Sequence, residues 1–146
     1  MCISEDQNIS GQDTSKSGYQ DEHKAGFENL WVWQRAHKLM LEIHKICKNL
    51  PSHEKFRRRD QLERSSSAVP DNIAEGHTTY YYNDKIKGFM TAGKEAGETQ
   101  NHFRSLEGKN YITKWIANNL IYRYEEVIRG INGYTRWVRK KKGAKK

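Results

Sequence analysis

The sequence predicts an all-α protein, an antiparallel up-and-down bundle of four helices. Apolar residues recur at steps of three and four in four separate segments, the spacing that gathers them on one face of a helix. The connections between those segments are short, which favours antiparallel neighbours. No segment alternates as a strand does, and only the run TTYYY (78–82) has a strand-like composition.

In the first helix Trp33, Ala36, Met40, Ile43, Cys47 and Leu50 form the apolar stripe, widened by Leu39 and Ile46. Pro51 stops it, because the residue before a proline is pushed out of the α region. The second helix is expected to start at Ser52 as N-cap with Glu54 in its first turn. It carries Phe56, Leu62, Ser66, Val69 and Ile73 and ends at Gly76. Pro70 lies inside it, so one helix kinked at Pro70 is expected, with two shorter helices as the alternative. The third helix runs from Lys85 to Glu107, capped by Asn83 or Asp84. Its stripe is Ile86, Met90, Gly93, Gly97, Gln100 and Phe103, flanked by Phe89, Ala96 and Leu106. Gly88, Gly93 and Gly97 weaken this helix, and their small size would let a neighbouring helix come close. Thr113 caps the fourth helix, whose seam is Ile116, Leu120, Tyr124, Val127, Ile131, Tyr134 and Val138, weakened locally by Gly130 and Gly133.

Residues 1–26 have few large apolar groups and are read as a disordered tail. The bundle spans 27–139, and 140–146 is a basic tail. The net charge of +8 is unevenly placed: residues 1–29 hold two cations against six acids, whereas residues 134–146 hold seven cations and no acid. Such a cationic end attracts polyanions, of which RNA and DNA are the commonest. Cys2 and Cys47 do not make a disulfide framework, and the N-terminus has neither the basic nor the apolar region of a secretory signal. No apolar run approaches the roughly 20 residues of a membrane span. A cytoplasmic protein with no membrane partner is expected.

Catalytic patterns are weak. His37 and His44 are seven apart, whereas a metal pair on a helix prefers three or four. There is no C-x-x-C, so neither a metal nor a cofactor is expected. Ser65–Ser67 lack the G-x-S-x-G setting of a nucleophile. The stretch 88–94 matches G-x-x-x-x-G-K but is followed by Glu95 where Ser or Thr would hold magnesium, and it lies in a helical pattern. Glu75, Glu95 and Glu98 lie near the core faces and call for partners such as Arg64 or Arg104. No motif makes them an acid–base pair, and a non-enzymatic protein is expected. Polyanion signals are stronger. Arg57, Arg58 and Arg59 are consecutive, and Arg136, Arg139, Lys140, Lys141 and Lys142 form a denser cluster. Both suit phosphate contacts. Tyr81, with Tyr80 and Tyr82, is placed to stack unpaired bases beside cations, or else to pack under a loop or at a subunit interface.

The segment FENLWVWQRA (27–36), followed by AVPDNIAEG (68–76) and by Glu98-Thr99-Gln100, resembles the small four-helix-bundle proteins encoded in intervening sequences of bacterial large-subunit ribosomal RNA genes. The resemblance covers residues 27–112. It implies a proline-kinked second helix and a homo-oligomer in the form of a pentameric ring. The chain is also similar to the accessory variability determinants of diversity-generating retroelements, basic ring-forming bundles that bind RNA and a reverse transcriptase. HTTYYYNDKIKG (77–88) and the acidic N-terminal extension depart from the usual ribosomal-insertion form. The function expected is a basic, homo-oligomeric RNA-binding accessory factor. The alternative is a protein-interaction scaffold, for example an accessory subunit of a reverse transcriptase, with Trp31 or Tyr80–Tyr82 in its contact surface.

Overall fold

A computed structural model describes residues 24–144; the tail expected over residues 1–26 lies outside the described residues as far as His23. A 3-10 turn, Gly26–Asn29, leads into α1 (Trp31–Lys48). A second 3-10 turn (Ser52–Glu54) and a π-helical turn (Lys55–Arg59) lead into α2 (Asp60–Thr78), which is followed by α3 (Tyr82–Gly108) and α4 (Lys114–Ala144). The helices form the expected four-helix bundle. The α2–α3 and α3–α4 seams are the most extensive, and α1 and α4 touch far less.

Leu39, Ile43, Leu62, Val69, Ile73, Phe89, Phe103, Leu106, Leu120, Tyr124, Val127 and Ile131 form the core. Burial of groups this large supplies most of the stability of an amphipathic bundle. In α4 Leu120, Tyr124, Val127, Ile131 and Val138 are buried as the spacing predicts, while Ala117 and Thr135 are buried where Ile116 and Tyr134 were expected and those two are partly covered. Thr113 Oγ1 accepts the Ile116 N–H at 3.1 Å as an N-cap. At the end of α3, Asn110 takes a left-handed φ of 64°. The Asn110 N–H donates to the Glu107 carbonyl and the Tyr111 N–H to the Leu106 carbonyl, each at 2.9 Å. Those two bonds are a Schellman motif, and Asn supplies the left-handed residue that glycine usually provides.

Other details depart from the expected registers. In α1, Val32 and Leu39 join Ala36, Ile43 and Cys47 in the core, while Trp33 and Met40 are only partly buried. Trp33 instead covers the core edge, edge-on to Phe27 at 5.1 Å and stacked on His37 at 4.7 Å. In α3 the buried face is Phe89, Ala92, Ala96, Thr99, Phe103 and Leu106. Met90, expected in the stripe, is 56% exposed. Residues assigned to its flanks are the core, because glycines carry no apolar signal with which to choose between adjacent registers.

The largest departure lies before α2. Pro51, not Ser52, occupies the capping position, and the π turn inserts extra backbone before the α-helix begins. Phe56 is consequently 80% exposed, while Glu54 is 2% exposed. The Glu54 carboxylate accepts from Lys109 Nζ at 2.9 Å and from the Tyr111 hydroxyl at 3.0 Å, and these partners hold it below the usual carboxylate range. This cluster joins the α1–α2 and α3–α4 connections at one end of the bundle. α2 continues as one helix through Pro70 to Thr78, so the two-helix alternative does not occur. The expected close approach at small residues is found at Gly88. A Cβ there would lie 2.8 Å from the Gly76 Cα and 3.1 Å from the Asn72 carbonyl oxygen, whereas one at Gly97 would meet nothing within 4 Å. The motif segment around Asn72 and Gly76 is thus a place where α2 and α3 approach closely.

Candidate nucleic-acid interface

The up-down-up-down path places the two predicted cation groups at opposite ends. α1 leaves one end and α2 returns to it. The same end receives the α2–α3 connection with Tyr80 and Tyr81, and the last turns of α4. Contacts confirm this gathering: Lys142 Nζ donates to Asn83 Oδ1 at 2.6 Å, and Arg139 Nη2 lies 3.7 Å from Met90 Sδ. Arg57, Arg58 and Arg59 sit before α2 at the other end, a helix length of about 28 Å away. They do not join the α4 cations in one patch.

Arg58 and Arg59 also turn inward. Arg58 Nη1 donates to Nδ1 of the buried His102 at 2.7 Å, so the imidazole is the neutral tautomer protonated on Nε2, which faces Glu98 at 3.4 Å. Burial lowers the His102 pKa, and the charge of Arg58 adds to that, although Glu98 pulls the other way. Arg59 pairs with Glu63 at 3.4 Å, while Arg57 is exposed. Arg64 binds Glu95 at 3.3 Å and Glu98 at 2.6 Å. Burial alone would raise the Glu98 carboxyl, but the hydrogen bond and charge of Arg64 outweigh it and leave the group below its ordinary value. These carboxylates therefore have the arginine partner expected of them. Glu75 is exposed.

At the α4 end the surroundings differ. The fourth helix does not stop at 139 but carries Lys140, Lys141 and Lys142 as helix to Ala144. Arg136, Arg139, Lys140 and Lys141 are exposed, and none of them has a carboxylate partner among the described residues. Lys141 Nζ lies 5.4 Å over the Trp137 ring. Tyr80 and Tyr81 are exposed and edge-to-face at 5.0 Å. Tyr82 is partly covered as the first residue of α3.

A cleft that the sequence reading missed opens at this end between the start of α1 and the later turns of α4. Its volume is about 620 Å³, and Leu30, Trp31, Val32, Arg35, Arg129, Tyr134 and Trp137 are among its lining residues. Tyr134 stacks on Phe89 at 3.9 Å and leans on Trp137 at 5.8 Å. Arg35 lies 5.0 Å over the Trp31 ring and pairs with Glu126 at 3.1 Å. Gly130 lets Trp31 lie against the α4 backbone: a Cβ there would be 2.6 Å from the ring. Two signals could have found the cleft. One is a pair of glycines three apart in an otherwise continuous seam, and the other is a tryptophan among cations at 136–142.

Among the described residues no group of three His, Cys, Asp or Glu side chains could hold a metal ion, and no helix is long and apolar enough to cross a membrane. The model of a family described as 23S rRNA-intervening sequence protein matches residues 28–133. A crystal structure from Bacteroides thetaiotaomicron, of a protein with unknown function from the S23 ribosomal protein family, is similar to this chain with a TM-score of 0.67 at 24% identity. The alignment covers 72% of this chain and 95% of that one, and at this identity the likeness shows the fold. No curated protein matches.

Proposed function

We propose, from the premise that this chain belongs to the 23S rRNA-intervening sequence protein family, that it is a non-enzymatic RNA-binding protein of the cytoplasm that grips phosphates with the last turns of α4. One observation carries this reading: Arg136, Arg139, Lys140 and Lys141 are displayed on a continuous helix without carboxylate partners among the described residues. Cations held this way are available to replace the counterions of a polyanion, and the affinity so gained is salt-dependent and indifferent to sequence. Tyr80 and Tyr81 lie at the same end, where an RNA held by these cations passes within their reach.

A homo-oligomer, with the pentameric ring that the resemblance implies, would repeat this cationic end and turn weak single contacts into avidity. Exposed Leu41, Trp115 and Tyr122, on α1 and α4 away from the cations, suit contacts between copies. The same three side chains support a second reading, a protein-interaction scaffold such as a reverse transcriptase accessory subunit. Co-purification of a protein partner that survives nuclease and high salt favours that reading.

Replacing Lys140, Lys141 and Lys142 together by alanine tests the first. Binding of a single-stranded RNA, followed by fluorescence anisotropy from low to moderate salt, is expected to weaken. The slope of log affinity against log salt is expected to flatten by about 2, from roughly 0.7 per lost phosphate contact. An unchanged slope makes this end of α4 a solubilising surface only.

A further inference from the structure

The cation cluster leaves the α1–α4 cleft unexplained. Trp31 is 47% and Trp137 53% exposed, although each has an apolar face against the fold. Two half-bare indoles and Tyr134 make a concave aromatic surface, with a volume in the roughly 300–1,000 Å³ range of small-molecule sites. The rim is cationic. Arg129 lines it, and Arg136, Arg139 and Lys141 follow on the next turns of the same helix. The acid in the lining, Glu126, is bound by Arg35 at 3.1 Å. Gly133 adds a further indication. Packing explains Gly130, where Trp31 needs the space, but a Cβ on Gly133 would meet only the tip of Arg136 at 3.8 Å. A glycine within α4 weakens the helix, and its consequence here is an open floor beneath Trp137.

Aromatic walls with a cationic rim fit a flat π-system on an anionic backbone better than they fit an apolar peptide. We propose that the cleft receives an unpaired nucleobase, so that the RNA held by α4 is single-stranded where it crosses this helix. The proposal rests on the RNA-binding reading above and narrows its ligand. Bases in a duplex are stacked and hide their faces, whereas an unpaired base stacks on aromatic side chains with little regard to sequence. The phosphates flanking the inserted base lie along Arg136, Arg139 and Lys140.

Fluorescence anisotropy of the full chain with three RNAs of about 12 nucleotides, a length within the span of single-strand sites, tests this. They are an unstructured single strand, a duplex, and a single strand with abasic central positions. The wild type is expected to bind the intact strand at least about fivefold tighter than the abasic one. Trp137→Ala and Gly133→Leu are each expected to lower single-strand affinity by about 5- to 100-fold and to leave duplex affinity within twofold. Gly133→Leu fills the cleft while replacing a poor helix former with a good one, so its melting temperature should equal or exceed that of the wild type. A well-folded Gly133→Leu that binds the single strand like wild type overturns the base pocket. So does equal wild-type affinity for intact and abasic strands, or an equal loss for both RNA forms in the variants. A change in assembly mass without a change in RNA affinity overturns it too, and makes the cleft a contact between copies. Absence of wild-type binding to any of the RNAs overturns the RNA-binding reading itself.

Discussion

The middle and far end of the bundle hold Arg64, Lys109 and Arg123 against carboxylates at 2.6–2.9 Å, whereas the last turns of α4 hold Arg136, Arg139, Lys140 and Lys141 against none among the described residues. Both regions are rich in cations, and the far end too leaves Lys45, Lys48, Lys55, Arg57 and Lys114 exposed without a carboxylate partner among the described residues, but only the last turns of α4 set four such cations along one helix with no acid among them. The difference comes from where the acids fall. Glu42 on α1, Glu54 in the 3-10 turn before α2, and Glu95 and Glu98 on α3 each face a cation from another element. After Glu126, α4 carries no acid to its end. Net charge therefore describes this protein poorly until the internal pairs are set aside. The consecutive arginines 57–59 show this best, because two of the three are engaged inside the fold.

Substitutions in the two regions should part company, with stability falling in one and binding in the other. Gly88→Ala is expected to have the largest effect on stability, because the added methyl meets Gly76 and Asn72 backbone rather than a movable side chain. A net loss of about 1–3 kcal/mol is expected from overpacking, read by urea denaturation. A midpoint at or above that of the wild type would show that the α2–α3 crossing can relax.

Acid should act next, through two histidines, His102 in the paired region and His77 at the α2–α3 connection. The folded pKa of His102 lies below its unfolded value. Above about 6.5 the imidazole is neutral in both states. As the pH falls through 6.5 the unfolded chain takes up the proton first, so stability is expected to decline from there toward the lowered folded pKa. His77, also lowered by burial, contributes with the same sign. The melting temperature of wild type should fall between pH 7 and pH 5, and that of His102→Gln should fall less. Equal slopes would remove His102 from the cause.

The smallest expected effect belongs to Arg64→Ala. This half-exposed guanidinium joins Glu95 and Glu98, and exposed pairs contribute no more than about 1 kcal/mol each. Its loss should shift the urea midpoint slightly and leave RNA affinity unchanged. A drop in RNA affinity as large as that of the triple lysine variant would erase the distinction between the two regions.

The sequence made some of this legible and hid the rest for physical reasons. α4 could be read at five of its seven seam positions, because large apolar groups mark them, whereas small Ala117 and Thr135 carry little apolar signal and were passed over for Ile116 and Tyr134. α3 could be placed but not oriented. Met90 looks like core and is exposed, since Gly88, Gly93 and Gly97 give no apolar signal and the true floor is built from Ala92, Ala96 and Thr99. The π turn left no local mark, so Phe56 was assigned to the apolar stripe and Glu54 only to a first helical turn, with no sign of the burial that Lys109 and Tyr111 support from the other connection. The cations at 136–142 were visible in composition. That Arg58 serves His102 was not, because the two are 44 residues apart and meet only when α2 and α3 pack. The aromatic cleft is lined from both α1 and α4, a property of neither helix alone.

Cys47 lies at the base of α1, fully buried, and burial pushes its thiol up to about 12. At neutral pH it is neither ionised nor reachable, so an alkylating reagent can modify it only during a transient opening of the α1–α2 seam. Its modification rate, followed by peptide mass, is then an internal stopwatch for that opening. The same protein needs no added probe to report whether bound RNA, or a neighbouring copy, slows the breathing of the bundle.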